Sequence, residues 1–420
     1  MTQTSNKFFE TDIAIIGAGP AGCAASLSLS QAGIPHLIFD KAIFPRDKIC
    51  GDALSGKIVV AFRKINPTLI SALAADKKTV LDSWGLSFIS PNGNRVDIRY
   101  AKSKSEMSHP PGFIVKRFDF DHFLVKQVQS AGAQFMSGAE VTDIINETDG
   151  LLLKFKPGSP IQQCKAKLII GAEGDRSIVA KKLGGFGLDP AHYFAGLRVY
   201  YRGVTGLHPE NFVELHFLKE LLPGYFWIFP MTDGSANVGI AMLSQTVRQK
   251  NIALKTMLDK IIFSHPAISP RFKQAQAMGE VKGWGLPLAS ARRHLSGERY
   301  LLVGDAGSLI DPFTGEGIGN AMASGILAAE VTREALKEKN YSRDFLSRYN
   351  DGLYRRIGSE LKVSQTIQRL LKFPKLINFV IGRAAHSKEL QHLLSCMLSE
   401  ADIRIKFRSP MFYLKLLFNR

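Results

Sequence analysis

The sequence predicts a mixed α/β and α+β chain. A Rossmann-like domain, discontinuous in sequence, is joined to an antiparallel-sheet domain and a C-terminal helical region. Three observations carry that reading. The run Asp12-Ile13-Ala14-Ile15-Ile16-Gly17-Ala18-Gly19-Pro20-Ala21-Gly22 joins an apolar strand to a small-residue helix through glycines. A late strand, Arg299-Tyr300-Leu301-Leu302-Val303, ends in Gly304-Asp305-Ala306-Gly307 and leads to a second small-residue helix, from about Gly319 to Leu336. Between them, Asn211-Phe212-Val213-Glu214-Leu215-His216-Phe217 alternates apolar and polar residues, as an antiparallel strand with one covered face does.

The first stretch carries the most chemistry. Ile13 to Ile16 read as a parallel strand buried on both faces. In Gly17-x-Gly19-x-x-Gly22, Gly17 permits the tight turn, Gly19 lets a pyrophosphate approach the backbone, and Gly22 lets helix and strand pack closely. The helix N-terminus offers unpaired N–H groups and a partial positive charge to phosphates. A second apolar run, His36-Leu37-Ile38-Phe39, ends at Asp40, 18 residues beyond Gly22. An acid about 20 residues on accepts from ribose hydroxyls, so the set predicts dinucleotide binding.

Next, residues 41–55 read as a long ordered loop leading to a helix near Gly56. Residues 66–107 form a satellite region with alternating stretches at 85–89 and 94–98. Phe113 to Leu124 return to strand then helix, the helix running to about Ser130 and stopping at Gly132. Lys167 to Ser177 is again strand, glycine turn, helix. From Tyr193 to Leu243 strands are separated by turns at Pro223-Gly224 and Asp233-Gly234, and 244–275 read as a helical insertion. The expected domains are 8–65, 108–190 and 281–337 for nucleotide binding, 66–107 and 191–280 for the substrate, and 338–420 as the helical region.

At 420 residues the chain exceeds the usual single-core limit of about 250–300. No apolar run approaches the roughly 20 residues that span a bilayer, and Met1 to Asp12 carry no signal-peptide core. Four separated cysteines, Cys23, Cys50, Cys164 and Cys396, suggest neither a disulfide framework nor a metal site, and a reducing cytoplasm is expected. The net charge is +17, and residues 331–420 hold 18 Lys/Arg against 8 Asp/Glu. An anionic membrane surface or an acidic protein suits that charge, whereas no nucleic-acid module accompanies it. The segment 404–420 has five Lys/Arg, no acid and many large apolar residues. It suits a peripheral segment at the inner face of the membrane, or a helix docked on its own protein.

Four stretches resemble, in order, the FAD-dependent oxidoreductases built like p-hydroxybenzoate hydroxylase. They are the fingerprint at 17–22, Arg117-x-x-Phe120-Asp121-x-x-Leu124, Gly171-Ala172-Glu173-Gly174-x-x-Ser177, and Gly304-Asp305-Ala306 followed by Pro312-x-x-Gly315-Glu316-Gly317-Ile318. Two more, Pro45-x-x-Lys48-x-Cys50-Gly51 and Tyr225-x-Trp227-x-Phe229-Pro230, resemble the geranylgeranyl reductase family within that group.

The resemblance implies that the Rossmann-like domain binds FAD. It assigns contacts to Gly17, Gly19, Ala21, Gly22, Asp40, Lys41, Lys48, Cys50, Gly51, Arg117, Glu173, Gly174, Asp305, Pro312, Gly315, Gly317 and Ile318. Asp305 would bind the ribityl hydroxyl, and the helix opened by Gly315 to Ile318 would stabilise the reduced ring with its dipole. Glu173 stands where the family has Asp, which leaves its contact open. Arg117 has a plainer alternative, a surface pair with Asp121 at i+4. Cys50 would sit near the reacting face of the flavin as a proton donor, or be a small buried residue of a tight loop. Tyr225 and Trp227, with Phe229, would line a prenyl tunnel, all facing one side if they alternate along a strand; plain sheet core is the alternative.

By this resemblance the expected activity is saturation of carbon–carbon double bonds in a prenyl lipid or prenyl quinone by hydride from reduced flavin. A flavin monooxygenase of an aromatic or polyketide would share every FAD motif, although no Trp-x-Trp-x-Ile-Pro is present to suggest halogenation. A flavoprotein electron carrier is the third reading. No second GxGxxG follows a strand, Gly184-Gly185-x-Gly187 lacking the setting. NADPH in a groove and an acidic ferredoxin both stay open as electron donor.

Overall fold

The apolar run before the first glycine turn becomes the strand Phe8–Ile16, in a computed structural model that describes residues 8–100, 107–388 and 391. That strand is the centre of a parallel sheet. It pairs on one side with Leu37–Asp40, which pairs with Gln134–Ser137, and on the other with Gln163–Gly171, followed by Tyr300–Leu302. A strand flanked on both sides by later ones is the point where strand order reverses, and ligands of such sheets sit beyond the carboxyl ends there. The helices Pro20–Gln31 and Ile318–Glu338 both begin at that edge. They cross in close contact, for a Cβ on Gly325 would lie 2.2 Å from the carbonyl oxygen of Ala21.

The hairpin Val141–Asn146 and Leu151–Phe155, unread in the sequence, adds antiparallel strands to Gln163–Gly171. A second sheet, of seven strands, holds Gly85–Ile89 and Arg95–Arg99 together with the strands between Tyr193 and Pro287. It is antiparallel except where Val213–His216 runs parallel to Gly85–Ile89. Its edge strand Gln276–Pro287 pairs with Tyr193–Arg202 as far as Pro287, so the sheet runs past the boundary expected at 280/281. Half of that strand is exposed and only Pro287 is buried, so it carries no apolar pattern to read. A small third sheet joins Ala53–Leu54, Gly112–Val115 and Val80–Ser83.

The one-faced strand expected around Val213 is buried on both faces. Val213 and Leu215 join the cluster of Tyr225 and Trp227. On the other face, Glu214 accepts from Arg271 Nη1 at 2.5 Å and pairs with His216 Nε2 at 3.0 Å. The alternation marks apolar core against a buried ion cluster, not core against water.

The helices Arg343–Leu370 and Pro374–His386 close the fold. The first is tied to the parallel sheet by Tyr349 Oη donating to the Leu302 carbonyl at 2.9 Å. Among the described residues no helix is long and apolar enough to cross a membrane. Cys396 and the basic stretch 404–420 lie outside the described residues.

Burial works against ionisation of Glu214, yet the hydrogen bonds from His216 and Arg271 hold its pKa down to about 2, against an ordinary 4.5. A carboxylate depressed in the fold adds stability above its unfolded pKa and loses it as pH falls through the folded one. Urea midpoints measured from about pH 6 to about pH 3 should therefore fall in the parent and fall less steeply in Glu214→Gln.

Candidate functional site

The carboxyl ends of the parallel strands, the 41–55 loop and one face of the antiparallel sheet enclose a single cavity of about 520 Å³. At its floor Gly17 holds φ +102°, and a Cβ there would sit 2.4 Å from the Ala172 carbonyl oxygen. Gly19 opens onto the cavity, its nearest neighbour being Arg46 Nη2 at 4.0 Å from a built Cβ. Ala21, Asp40 and Lys41 share this wall. Gly22 does not line it; a Cβ there would lie 1.9 Å from the Gly17 carbonyl oxygen, so its task is helix packing. Asp40 accepts from the backbone N–H groups of Ala18 and Ala42, both at 2.8 Å, which locks the two loops that frame the fingerprint. Burial raises its pKa against those bonds.

Arg117 lines the cavity and is 7 % exposed. It makes the i+4 pair considered for a surface arginine, a bidentate one to Asp121 at 2.6 and 2.7 Å, but in the interior. Asp121 also takes Arg46 Nη1 at 2.6 Å. Burial opposes both charges, but each partner holds the other ionised, Arg117 shifted up and Asp121 down. Glu173 and Gly174 reach the wall as well. The Glu173 carboxylate accepts from Ser177 Oγ at 2.8 Å and Val179 N–H at 3.1 Å, so its extra methylene serves the turn after Gly171. Burial pushes its pKa up to about 6.

Asp305, Gly315, Gly317 and Ile318 line the cavity where the helix Ile318–Glu338 begins. The Asp305 carboxylate accepts no hydrogen bond from the described residues; burial raises its pKa, with Lys48 opposing. Pro312 stays off the wall. An open glycine at a helix N-terminus, a carboxylate with no donor of its own, and Lys48 and Arg117 beside it fit a dinucleotide carrying ribityl hydroxyls and a pyrophosphate.

The cavity continues between Cys50, Gly51 and the strand Gly224–Pro230. Tyr225, Trp227 and Phe229 face one side of that strand, while Phe226 and Ile228 join the cluster on the other. Neighbouring rings are 6.2 Å apart along the row. Leu86, Val213 and Leu215 complete an apolar chamber. Tyr225 Oη donates to the Thr314 carbonyl at 3.1 Å. Burial raises the Cys50 pKa, so the thiol stays protonated at neutral pH. Lys48 lies 4.0 Å over the Trp284 ring.

Residues that sequence reasoning missed hold this part together. Trp227 Nε1 donates to Asn237 Oδ1 at 2.9 Å. Asn237 Nδ2 donates to the Cys50 carbonyl and to Asp52 Oδ2, both at 2.8 Å. Asp52 also accepts from Tyr200 Oη at 2.6 Å. It holds φ +68° and is fully buried, which pushes its pKa up to about 6. Its place directly after Cys50-Gly51 was the available signal; nothing local marks Asn237 or Tyr200. At another part of the wall Lys57 Nζ donates to Glu360 Oε1 at 2.5 Å and Asn320 Oδ1 at 2.9 Å. Among the described residues no group of acids, histidines and cysteines could hold a metal.

A family model described as FAD binding domain matches residues 10–351. The chain is 27% identical over 373 residues to a menaquinone reductase of Mycobacterium tuberculosis, covering 87% of this chain and 85% of that protein. It is 29% identical over 343 residues to digeranylgeranylglycerophospholipid reductase 1 of Methanosphaera stadtmanae, covering 81% and 79%. Its fold is similar to that of a geranylgeranyl bacteriochlorophyll reductase-like protein from Thermoplasma acidophilum. The TM-score is 0.79 at 22% identity, over 96% of this chain and 99% of the other. A flavin-dependent brominase shares the fold, with a TM-score of 0.76 at 21% identity over 93% of each chain.

Gly19→Val should fill the open space above the fingerprint. Purified protein is expected to lose its visible flavin absorbance while keeping its far-ultraviolet circular dichroism. Asn237→Ala strips partners from Trp227 N–H, the Cys50 carbonyl and the Asp52 carboxylate. It should lower the unfolding free energy in urea by about 2–4 kcal/mol.

Proposed function

The chain belongs to the FAD binding domain family. From that premise we propose that it is a reductase that saturates carbon–carbon double bonds of a prenyl lipid or prenyl quinone. The observation that carries this reading is the continuity of the nucleotide cavity with an apolar aromatic chamber, Cys50 standing where the two meet. The names of the menaquinone and digeranylgeranylglycerophospholipid reductases support it.

The chemistry that FAD would supply when bound is hydride transfer, with NADPH or an acidic ferredoxin as the electron donor. The protein supplies the rest. Gly17, Gly19 and the helix at Pro20 would hold the pyrophosphate, Asp305 would hold the ribityl chain, and Lys48 and Arg117 would offset negative charge along the cavity. Tyr225, Trp227 and Phe229 line up a prenyl chain and exclude water. An isolated alkene accepts hydride poorly, so placement at near-contact distance must provide much of the acceleration. The Cys50 S–H gives a proton to the second alkene carbon, and solvent restores it. The Cys50 thiol stays protonated at neutral pH, so a proton is at hand when the alkene takes up hydride. Asn237 and Asp52 hold the Cys50 loop against the aromatic wall. A prenyl substrate dissolved in lipid also suits peripheral attachment of a basic chain at the inner face of a membrane.

Lipid extracts of cells with and without the protein should differ by about two mass units per saturated alkene in a prenyl quinone or prenyl lipid, the two hydrogens added. Gly19→Val should abolish the shift. A new oxygenated product with no such shift would make the chain a monooxygenase instead. Cys50→Ala should keep its flavin and lose about 100-fold or more in turnover; unchanged turnover would reduce Cys50 to a packing residue.

A further inference from the structure

The turn between the two C-terminal helices presents an unusual surface. Eight large apolar side chains are exposed among the described residues, and three of them, Leu370, Phe373 and Phe379, fall within ten residues. The others, such as Phe8, Phe118 and Phe263, are scattered along the chain. Residues 361–388 hold six Lys/Arg and no Asp or Glu. Arg369, Lys372 and Lys375 are exposed beside the three apolar residues. In the helix Pro374–His386, Lys375, Phe379 and Arg383 recur every four residues and so share one face. The opposite face buries Ile377, Ile381 and Ala384 in the cluster that contains Tyr225 and Trp227. In the preceding helix, Glu360 and Ser364 line the cavity itself.

We propose that this helical turn is a docking surface for an anionic lipid bilayer, with Phe373, Phe379 and Leu370 inserted at headgroup depth and Lys372, Lys375 and Arg369 on the phosphates. Exposed aromatics beside lysines with no intervening acid suit the bilayer interface, where rings bury and ammonium groups stay at the headgroups. A second copy of the chain fits worse. A two-fold contact would set the patch against itself and bring like charges together. The inner face of the same helices packs around the chamber, so docking would bring the chamber wall against the bilayer. The proposal concerns where the chain sits and holds whichever lipid the chamber takes.

The test uses the full chain with its flavin, floated with vesicles of phosphatidylcholine containing phosphatidylglycerol, and with phosphatidylcholine alone. The parent should float with the anionic vesicles only, and less as salt rises. Lys372→Glu/Lys375→Glu should weaken binding about 30-fold or more, two basic residues at about 1 kcal/mol each. Phe373→Ser/Phe379→Ser should weaken it too. Retained flavin and circular dichroism would show that these surface variants fold. Equal flotation with neutral vesicles, or parent-like binding by both variants, would overturn the proposal. So would a dimer in sedimentation that disappears with Phe373→Ser/Phe379→Ser.

Discussion

The contact that everything else depends on is the crossing of the helices that begin at Pro20 and Ile318. They can touch only because position 325 has no side chain, the built Cβ lying 2.2 Å from the Ala21 carbonyl oxygen. Gly304, at φ +59°, sits in the same place; a Cβ built there would lie 3.1 Å from the methyl groups of Ala21 and Ala321. Small residues at the crossing let two helix N-termini, far apart in the chain, converge on one cavity. A larger residue there would separate the Gly17–Gly22 turn from the Gly315–Ile318 turn. The two turns would then no longer line one cavity.

A second constraint is the way polar groups are managed inside the antiparallel sheet. Glu214 and His216 are both buried, at 1 % and 5 % exposure. They are kept in place by Arg271, which also donates to the Thr205 carbonyl at 2.8 Å. Removing one member would leave its partners charged in the interior, a costlier state than the intact cluster. The sheet can therefore give its other face to Val213, Leu215, Tyr225 and Trp227, with Asn237 bonded among them, and that mostly apolar face lines the chamber.

What was legible in the sequence follows from these constraints. The glycine turn at 17–22 could be read because backbone approach forbids side chains there, and the demand shows within a few residues. The row Tyr225, Trp227, Phe229 could be read because a strand alternates. Asn237 and Tyr200 could not be, because their partners Cys50 and Asp52 are 187 and 148 residues away in sequence. The strand Gln276–Pro287 escaped because an exposed edge needs no apolar period. The residues at 213–217 misled, since alternation is the same whether the polar face meets water or a buried arginine.

The raised pKa of Cys50 has a chemical consequence of its own. Peroxides and alkylating reagents attack thiolates, and their rates follow thiolate content and access. A sulfur held in the S–H form offers little thiolate to either, even though Cys50 is only half-buried and lines the cavity. The arrangement that would keep a proton ready for an alkene thus also keeps the thiolate content low, and oxidation slows with it.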